Sequence, residues 1–514
     1  MLRGTFRILF VVVVMAAMLG TAPVAFAGSE SCDMRVNNTH EKLLACVTLE
    51  GVREHQAALQ SIADANNGIR TSGTPGFDAS VAYAHQVFES AGYIVTVQPF
   101  QFQTFISLSQ PILEQVAPAP TGAIANNLMS YSGSGDTTAS VTALVAEATP
   151  GCEAADFAGF PAGNIALIKR GACTFAIKAT NAYSAGAAGV IIYNNQPGVI
   201  NGTLGNGFTL NLPVTSVTQA VGEQLAATAG LVMRLKTDTF RGIATTYNIF
   251  AESVDGDPNN VVMAGAHLDS VNAGPGIQDN GSGSAAILEV AQQMAKVKPV
   301  NKIRFALWGA EESGLVGSTY YVNNLSAVDR QKIALYLNFD MIASPNHVFF
   351  VYDGDDSDAV GAGPGPAGSA QIEDVFENYY SMHGLPFKGT DFTGRSDYGP
   401  FIAAGIPSGG LFTGAEGVKT AAEAATWGGT AGQQYDPCYH LACDTYNNVN
   451  TYALDVNSDA VAFSVLQYAM NTSDVNGLGG KGNFPVVAPV PSSIPSDIGS
   501  GGGLHDHDHE PVTE

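Results

Sequence analysis

Three largely apolar runs, residues 261–266, 303–308 and 333–339, alternate with stretches of helical periodicity at 284–297 and 315–325. A strand that is apolar on both sides needs cover on both faces, and each gap holds one helix. The pattern predicts an α/β fold with a mostly parallel central sheet flanked by helices. In such a sheet the ligand site lies beyond the carboxyl ends of the strands. The chain has 514 residues, enough for two or three domains. Hydrophobic residues make up 46% and charged residues 13%, which excludes a disordered chain. Lys+Arg number 22 against 46 Asp+Glu, for a net charge of −24, so no basic surface is expected and nucleic acid is excluded as a partner.

The N-terminus reads as a secretory signal peptide over residues 1–27. Arg3 and Arg7 precede an apolar run at 8–19, and Ala25-Phe26-Ala27 is a small-x-small cleavage site. The expectation is a secreted or periplasmic protein, free of the membrane after cleavage. Export makes an even number of cysteines read as disulfides. The six fall into sequence-local pairs, Cys32 with Cys46, Cys152 with Cys173 and Cys438 with Cys443, although six cysteines allow fifteen pairings.

Beyond the signal the chain divides into four regions. Residues 28–118 are the first part of the main domain, helical at 40–46, 49–65 and 77–91, with a strand at 93–102. Residues 119–242 are β-rich and read as an inserted module, with strands at 141–145, 165–168 and 189–193 and a helix at 175–185. Residues 243–473 complete the main domain. Residues 474–514, rich in Pro, Gly and Ser and ending in a run with His505, His507 and His509, read as a disordered tail.

Each long apolar strand ends in polar residues. The first runs into His267 and Asp269, followed by a glycine-rich loop with Asp279; the second runs into Glu311 and Glu312; the third into Asp340. His440 comes much later, between Asp436 and Asp444. Carboxylates gathered on one sheet edge repel one another unless cations hold them. Nitrogen and oxygen donors without thiolate suit zinc, with manganese or cobalt as substitutes. One catalytic zinc needs three protein ligands, so two imidazoles and three carboxylates point to two metals sharing a carboxylate. Two Zn²⁺ contribute about +4, which three carboxylates and a hydroxide neutralise.

These segments, H-x-D-S at 267–270, G-P-G-I-x-D-N-G-S-G at 274–283, A-E-E-S-G at 310–314, N-F-D-M at 338–341 and C-Y-H-x-x-C-D at 438–444, resemble the M28 family of co-catalytic zinc peptidases, in particular its bacterial secreted aminopeptidases. The resemblance covers roughly residues 30–115 and 241–472. It implies a zinc-exopeptidase fold with two Zn²⁺, His267 and Asp340 on one, Glu312 and His440 on the other, and Asp279 bridging them. Glu311 would be the general base, Tyr439 would hydrogen-bond the oxyanion, and Asp269 would orient the His267 imidazole. The family holds the bond after the bridging aspartate cis, here Asp279-Asn280. A G-R-S-D stretch borders the family's substrate pocket, which makes Arg395 a candidate substrate contact and Asp397 a supporting carboxylate.

Residues 163–195 are similar to a protease-associated (PA) domain, in G-N-I-A-L-I, R-G-A-C-T-F and G-V-I-I-Y-N-N; a lid without chemistry of its own is the expected role. The implied substrates are peptides with a free N-terminus, with a preference for apolar N-terminal residues. The alternatives are a di-zinc carboxypeptidase or dipeptidase, a single-zinc glutaminyl cyclase, and a non-catalytic receptor-like relative. Asp455 and Asp459, spaced i, i+4, are a weak Ca²⁺ candidate, since acids in a first helical turn are favoured anyway.

Overall fold

The computed structural model describes residue 32 and residues 34–144, 150–198, 200, 202–359, 361 and 363–489. The expected signal peptide and the histidine-rich end of the tail lie outside the described residues. Helices α1 (His40–Leu44), α2 (Leu49–Ala65) and α3 (Pro75–Ser90) open the main domain. The Thr48 hydroxyl caps α2 by accepting from the Gly51 amide, and Val52, Leu59 and Ala63 recur on its buried face. Strand β1 (Ile94–Ala117) continues well past the expected end at 102.

The inserted region carries β2 (Gly122–Ala123), β3 (Asn127–Leu128), β4 (Gly135–Leu144), β5 (Ile165–Lys169), α4 (Phe175–Ser184), β6 (Gly189–Tyr193), β7 (Val214–Val217) and α5 (Gln219–Ala227). Strands β4, β5, β6 and β7 are parallel neighbours, and the two faces of β5 enter separate cores, Ala166 and Ile168 on one, Ile165 and Leu167 on the other. Strand β8 (Val232–Glu252) then pairs with β1 along nearly its whole length, from Ile94 opposite Glu252 to Ala117 opposite Val232. The first part of β8 pairs with β4 and its last residues pair with the main sheet. The expected module boundary at 242/243 therefore falls inside a continuous strand, and one antiparallel ribbon belongs to both domains.

The main domain continues with β9 (Asp257–His267), α6 (Gly281–Met294), β10 (Asn301–Trp308), α7 (Val316–Asn323), β11 (Ile333–Phe339), β12 (Phe350–Tyr352), α8 (Ser369–Met382), β13 (Lys388–Thr390), β14 (Ser408–Phe412) and α9 (Thr451–Met470). The strand order is β13-β12-β14-β11-β9-β10-β8, with β14, β11, β9 and β10 mutually parallel. Alternate residues supply the two faces: Val262, Ala264, Phe305, Leu335 and Leu337 pack under α6 and α9, while Met263, Trp308 and Tyr336 pack with Phe401 on the other side. Helix α6 lies so close to β11 that a Cβ on Gly283 would sit 2.2 Å from the Phe339 carbonyl oxygen.

The start of the expected tail is held in place. A short helix spans Ser473–Asn476, and Phe484 is buried, its ring edge-on to His40. Asn471 donates to the Phe484 carbonyl and Gln467 to that of Pro485. One aromatic anchor and these bonds outweigh the Pro/Gly/Ser composition, so the ordered domain extends beyond 474.

Candidate metal centre

Because β10, β9 and β11 are adjacent and parallel, the residues just beyond their carboxyl ends converge. His267 ends β9 in register with Trp308, Glu311 and Glu312 are the third and fourth residues after β10, and Asp340 directly follows β11. The loop before α6 supplies Asp279, and the loop before α9 supplies His440.

Asp279 faces both imidazoles: His267 Nε2 lies 3.1 Å from its Oδ1 and His440 Nε2 lies 3.2 Å from its Oδ2. His267 Nε2 is also 3.3 Å from Asp340 Oδ1, and His440 Nε2 is 3.1 Å from Glu312 Oε2. Two donors on one tetrahedral zinc are separated by roughly 3.3 Å, given metal–donor distances near 2.0–2.1 Å. Asp340 Oδ1 and Glu312 Oε1 are buried and have no hydrogen-bond partner among the described residues. Buried carboxylate oxygens left this way need a cation. The donor set, its spacing and these orphaned oxygens fit zinc, the metal that the donor chemistry suggests. Glu311 Oε2 lies 3.9 Å from His267 Nε2, and a Glu311 oxygen falls within 4.8 Å of donor atoms of both His267 and Asp340.

The fields follow from the crowding. Burial works against protonated imidazole at His267, but Asp340 and Glu311 outweigh it and push the ring well above the usual range; Glu312 and Asp279 do the same at His440. Burial opposes the Asp279 carboxylate too, yet the two imidazoles hold it low. Glu311 is pushed well up, first by burial and then by Asp397, Asp340 and Glu312 against the pull of His267. Glu312 rises to about 6, chiefly through burial.

Backbone and neighbours pin the groups. Ala310, Met341 and His440 are non-glycine residues in the left-handed region, with φ of 53°, 50° and 56°. Such positions cost of order 1–3 kcal/mol each and persist only where surroundings hold them. The Ala310 amide donates to Ser72 Oγ at 2.7 Å, and the Met341 amide donates to Asn280 Oδ1 at 3.2 Å. The Asp279-Asn280 bond is cis. His267 Nδ1 lies 3.2 Å from the Asp269 carbonyl oxygen but 3.7 Å from its carboxylate. The Asp269 backbone is thus the nearer partner of the ring, while its carboxylate accepts from the Glu311 amide at 3.2 Å.

The Tyr439 ring stacks on His440 with centroids 3.8 Å apart. Arg395 Nη2 donates to the Tyr439 hydroxyl at 3.2 Å, and Arg395 Nη1 binds Glu416 Oε1 at 2.8 Å, which places Arg395 at the rim. Asp397 is fully buried beside Asp340 and Asp269, its carboxyl pushed up to about 8 chiefly by burial. Cys438 and Cys443 are bonded across His440, and Cys32–Cys46 and Cys152–Cys173 are the other disulfides. Asp455 and Asp459 sit beyond the first turn of α9, so first-turn preference does not account for them. No third His, Cys, Asp or Glu joins them as a metal group among the described residues.

Sequence reasoning passed over three supports. The Asp444 carboxylate accepts from the Gln278 and Asp279 amides, at 2.8 and 3.0 Å. Its place in the C-Y-H-x-x-C-D segment is the one signal available. Arg70, fully buried, donates to the carbonyls of Leu268, Pro275 and Gly276 around the same loop. Ser396 donates to Asp340 Oδ2 at 2.6 Å. Nothing local marks Arg70.

The profile of Peptidase family M28 matches residues 248–465, and that of the PA domain matches residues 137–225. An aminopeptidase of Pseudomonas aeruginosa is 48% identical over 445 residues, covering 84% of this chain and 83% of that one. A probable lipoprotein aminopeptidase of Mycobacterium tuberculosis is 42% identical over 86% of this chain and 88% of its own. Among solved structures, a zinc aminopeptidase from Bacillus subtilis superposes with a TM-score of 0.62 at 25% identity, over 81% of this chain and 94% of that one. The chain belongs to peptidase family M28 and is an aminopeptidase of that family carrying a PA domain.

Proposed function

We propose that the chain is an exported co-catalytic di-zinc aminopeptidase that removes N-terminal, preferentially apolar, residues from peptides. The observation that carries this reading is Asp279, whose two oxygens each face a different imidazole at 3.1 and 3.2 Å. Two zinc ions would supply Lewis acidity, polarising the scissile carbonyl and making a water nucleophilic near neutral pH. His267 and Asp340 hold one position, His440 and Glu312 the other. Glu311 takes the proton of the attacking water and returns it to the leaving amine. The Tyr439 oxygen accepts from Arg395, which leaves the phenolic proton free to donate to the developing oxyanion. Arg395 acts at the rim, orienting that phenol and meeting the peptide. The three disulfides, and the naming of one relative as a lipoprotein, support action outside the cytoplasm.

Hydrolysis of leucine p-nitroanilide, compared with its N-acetylated form, tests the assignment alongside elemental analysis. Two zinc per chain and turnover of the free-amine compound alone are expected. Equal rates on both compounds, or full activity of metal-free protein, would refute it.

A further inference from the structure

A second group of carboxylates lies away from this centre, where β12 runs into α8. The connecting loop reads Asp353-Gly354-Asp355-Asp356-Ser357-Asp358. Asp353 accepts from the Ser357 and Asp358 amides, both at 3.0 Å, and Asp355 accepts from the Ser357 amide at 2.9 Å. Glu373 of α8 accepts from the Gly354 amide at 2.7 Å through Oε2. A Cβ on Gly354 would sit 2.3 Å from the Ser369 carbonyl oxygen, so the loop rests directly on the helix. One oxygen from each of Asp353, Asp355 and Glu373 lies within 4.8 Å of the other two.

Two features separate this group from ordinary surface acids. Glu373 is only 4% exposed, and its Oε1 is buried without a hydrogen-bond partner among the described residues. Glu377, also buried, and Asp358 add charge of the same sign. The ammonium of Lys388, on neighbouring strand β13, is engaged by Glu423 at 2.9 Å. Burial above all, then Asp353, Glu377 and Asp355, push Glu373 up to about 9 against the lowering effect of the Gly354 amide. Removing a proton there is costly unless a cation replaces it.

We propose that Asp353, Asp355 and Glu373 form a calcium site. The donors are all hard oxygens, with no imidazole or thiolate to select zinc. Oxygens on alternate residues of a short loop, joined by a glutamate from a following helix, supply part of the oxygen shell that Ca²⁺ takes, with water for the rest. The ion would tie edge strand β12 to α8. Tyr352, the last residue of β12, stacks on Phe392 and touches Tyr398, at centroid distances of 5.2 and 4.7 Å. That contact links the site to the segment that bears Arg395 and Ser396.

The test is calorimetric titration of CaCl₂ into the zinc-loaded protein after passage over a calcium-chelating resin, with melting temperature as a second reading. One calcium per chain is expected, with a rise of about 2–5 °C at saturation. E373Q and D355N should each weaken binding more than tenfold, and D459N should leave it unchanged. Asp355 is exposed, so D355N tests the site even if E373Q fails to fold. No calcium uptake, uptake undiminished in E373Q and D355N, or uptake lost only in D459N would each overturn the proposal.

Discussion

Glu311 and Glu312 are neighbours to which the proposed mechanism gives different tasks, and their surroundings differ. Glu312 Oε2 meets His440, and its other oxygen is buried without a partner among the described residues; Glu311 stays 3.9 Å from the nearest imidazole, close to Asp397 and Asp340. If Glu311 moves the proton and does not hold metal, E311Q should lower kcat by ~10²–10⁴-fold while retaining two zinc per chain. Steady-state kinetics paired with elemental analysis reads both quantities; loss of zinc along with activity would make Glu311 a ligand instead. Arg70 acts at a distance from the chemistry. Its guanidinium serves three carbonyls around the 268–276 turn, and R70M would leave all three without that donor inside the protein. A loss of about 3 kcal/mol or more in chemical denaturation is expected, and a change under about 1 kcal/mol, the net worth of one ordinary hydrogen bond, would show that the turn does not depend on it.

At the scale of elements, the site is a meeting of strand ends with one distant loop. β9, β10 and β11 hold their residues through sheet register, whereas Tyr439 and His440 sit on a loop with no sheet pairing of its own. The Cys438–Cys443 bond closes that loop, and Asp436 and Asp444 both bind the Asn448 side chain within it. Reduction of this disulfide should lower kcat/KM before the far-ultraviolet circular dichroism changes, because a looser loop misplaces His440 while the sheet persists. Full turnover with both thiols shown free would disprove the dependence. The β1–β8 ribbon plays the opposite role: its long antiparallel pairing ties the PA domain to the peptidase sheet without a flexible linker between β8 and the strands on either side.

For the whole molecule, buried acids tie stability to pH and, in the proposed reading, to bound cations. In the metal-free chain Glu312 is raised to about 6, Glu377 to about 8 and Glu373 to about 9, in each case chiefly by burial. Between the ordinary glutamate value near 4.5 and these raised values the folded chain binds more protons than the unfolded one. Their contribution is therefore full below about 4.5 and is lost as pH rises through about 6 to 9. Chelator-stripped protein should accordingly fall behind the metal-loaded protein in melting temperature as pH goes from about 5 to about 8, with the gap smallest at the acid end. A gap that does not change with pH would mean that the cations relieve no charge. The second contribution to that gap, from Glu373 and Glu377, should close with calcium alone.

Much of the architecture was legible along the chain. Two-residue alternation and largely apolar runs are local consequences of what each strand face touches, so β9, β10, β11 and the helices α6 and α7 between them could be placed from sequence, though not the short helix at Ala327–Lys332. His440 entered as a candidate donor from the polar residues alone; the family resemblance added the division of roles, which spacing left open. Arg70 and Asp444 were not legible as supports, because a buried guanidinium or carboxylate looks the same in sequence as an exposed one until its carbonyl or amide partners are known. The same holds for Phe484, whose Pro/Gly/Ser surroundings signal a tail while a single ring finds His40. It also holds for the length of β1, set by a partner strand far along the chain. Local composition decided which segments form strands and helices and which residue types stand at their ends. Only folding decided which oxygen of Asp279 meets which imidazole, and which glutamate is left with an unpaired oxygen, since those distances join segments that no short-range interaction brings together.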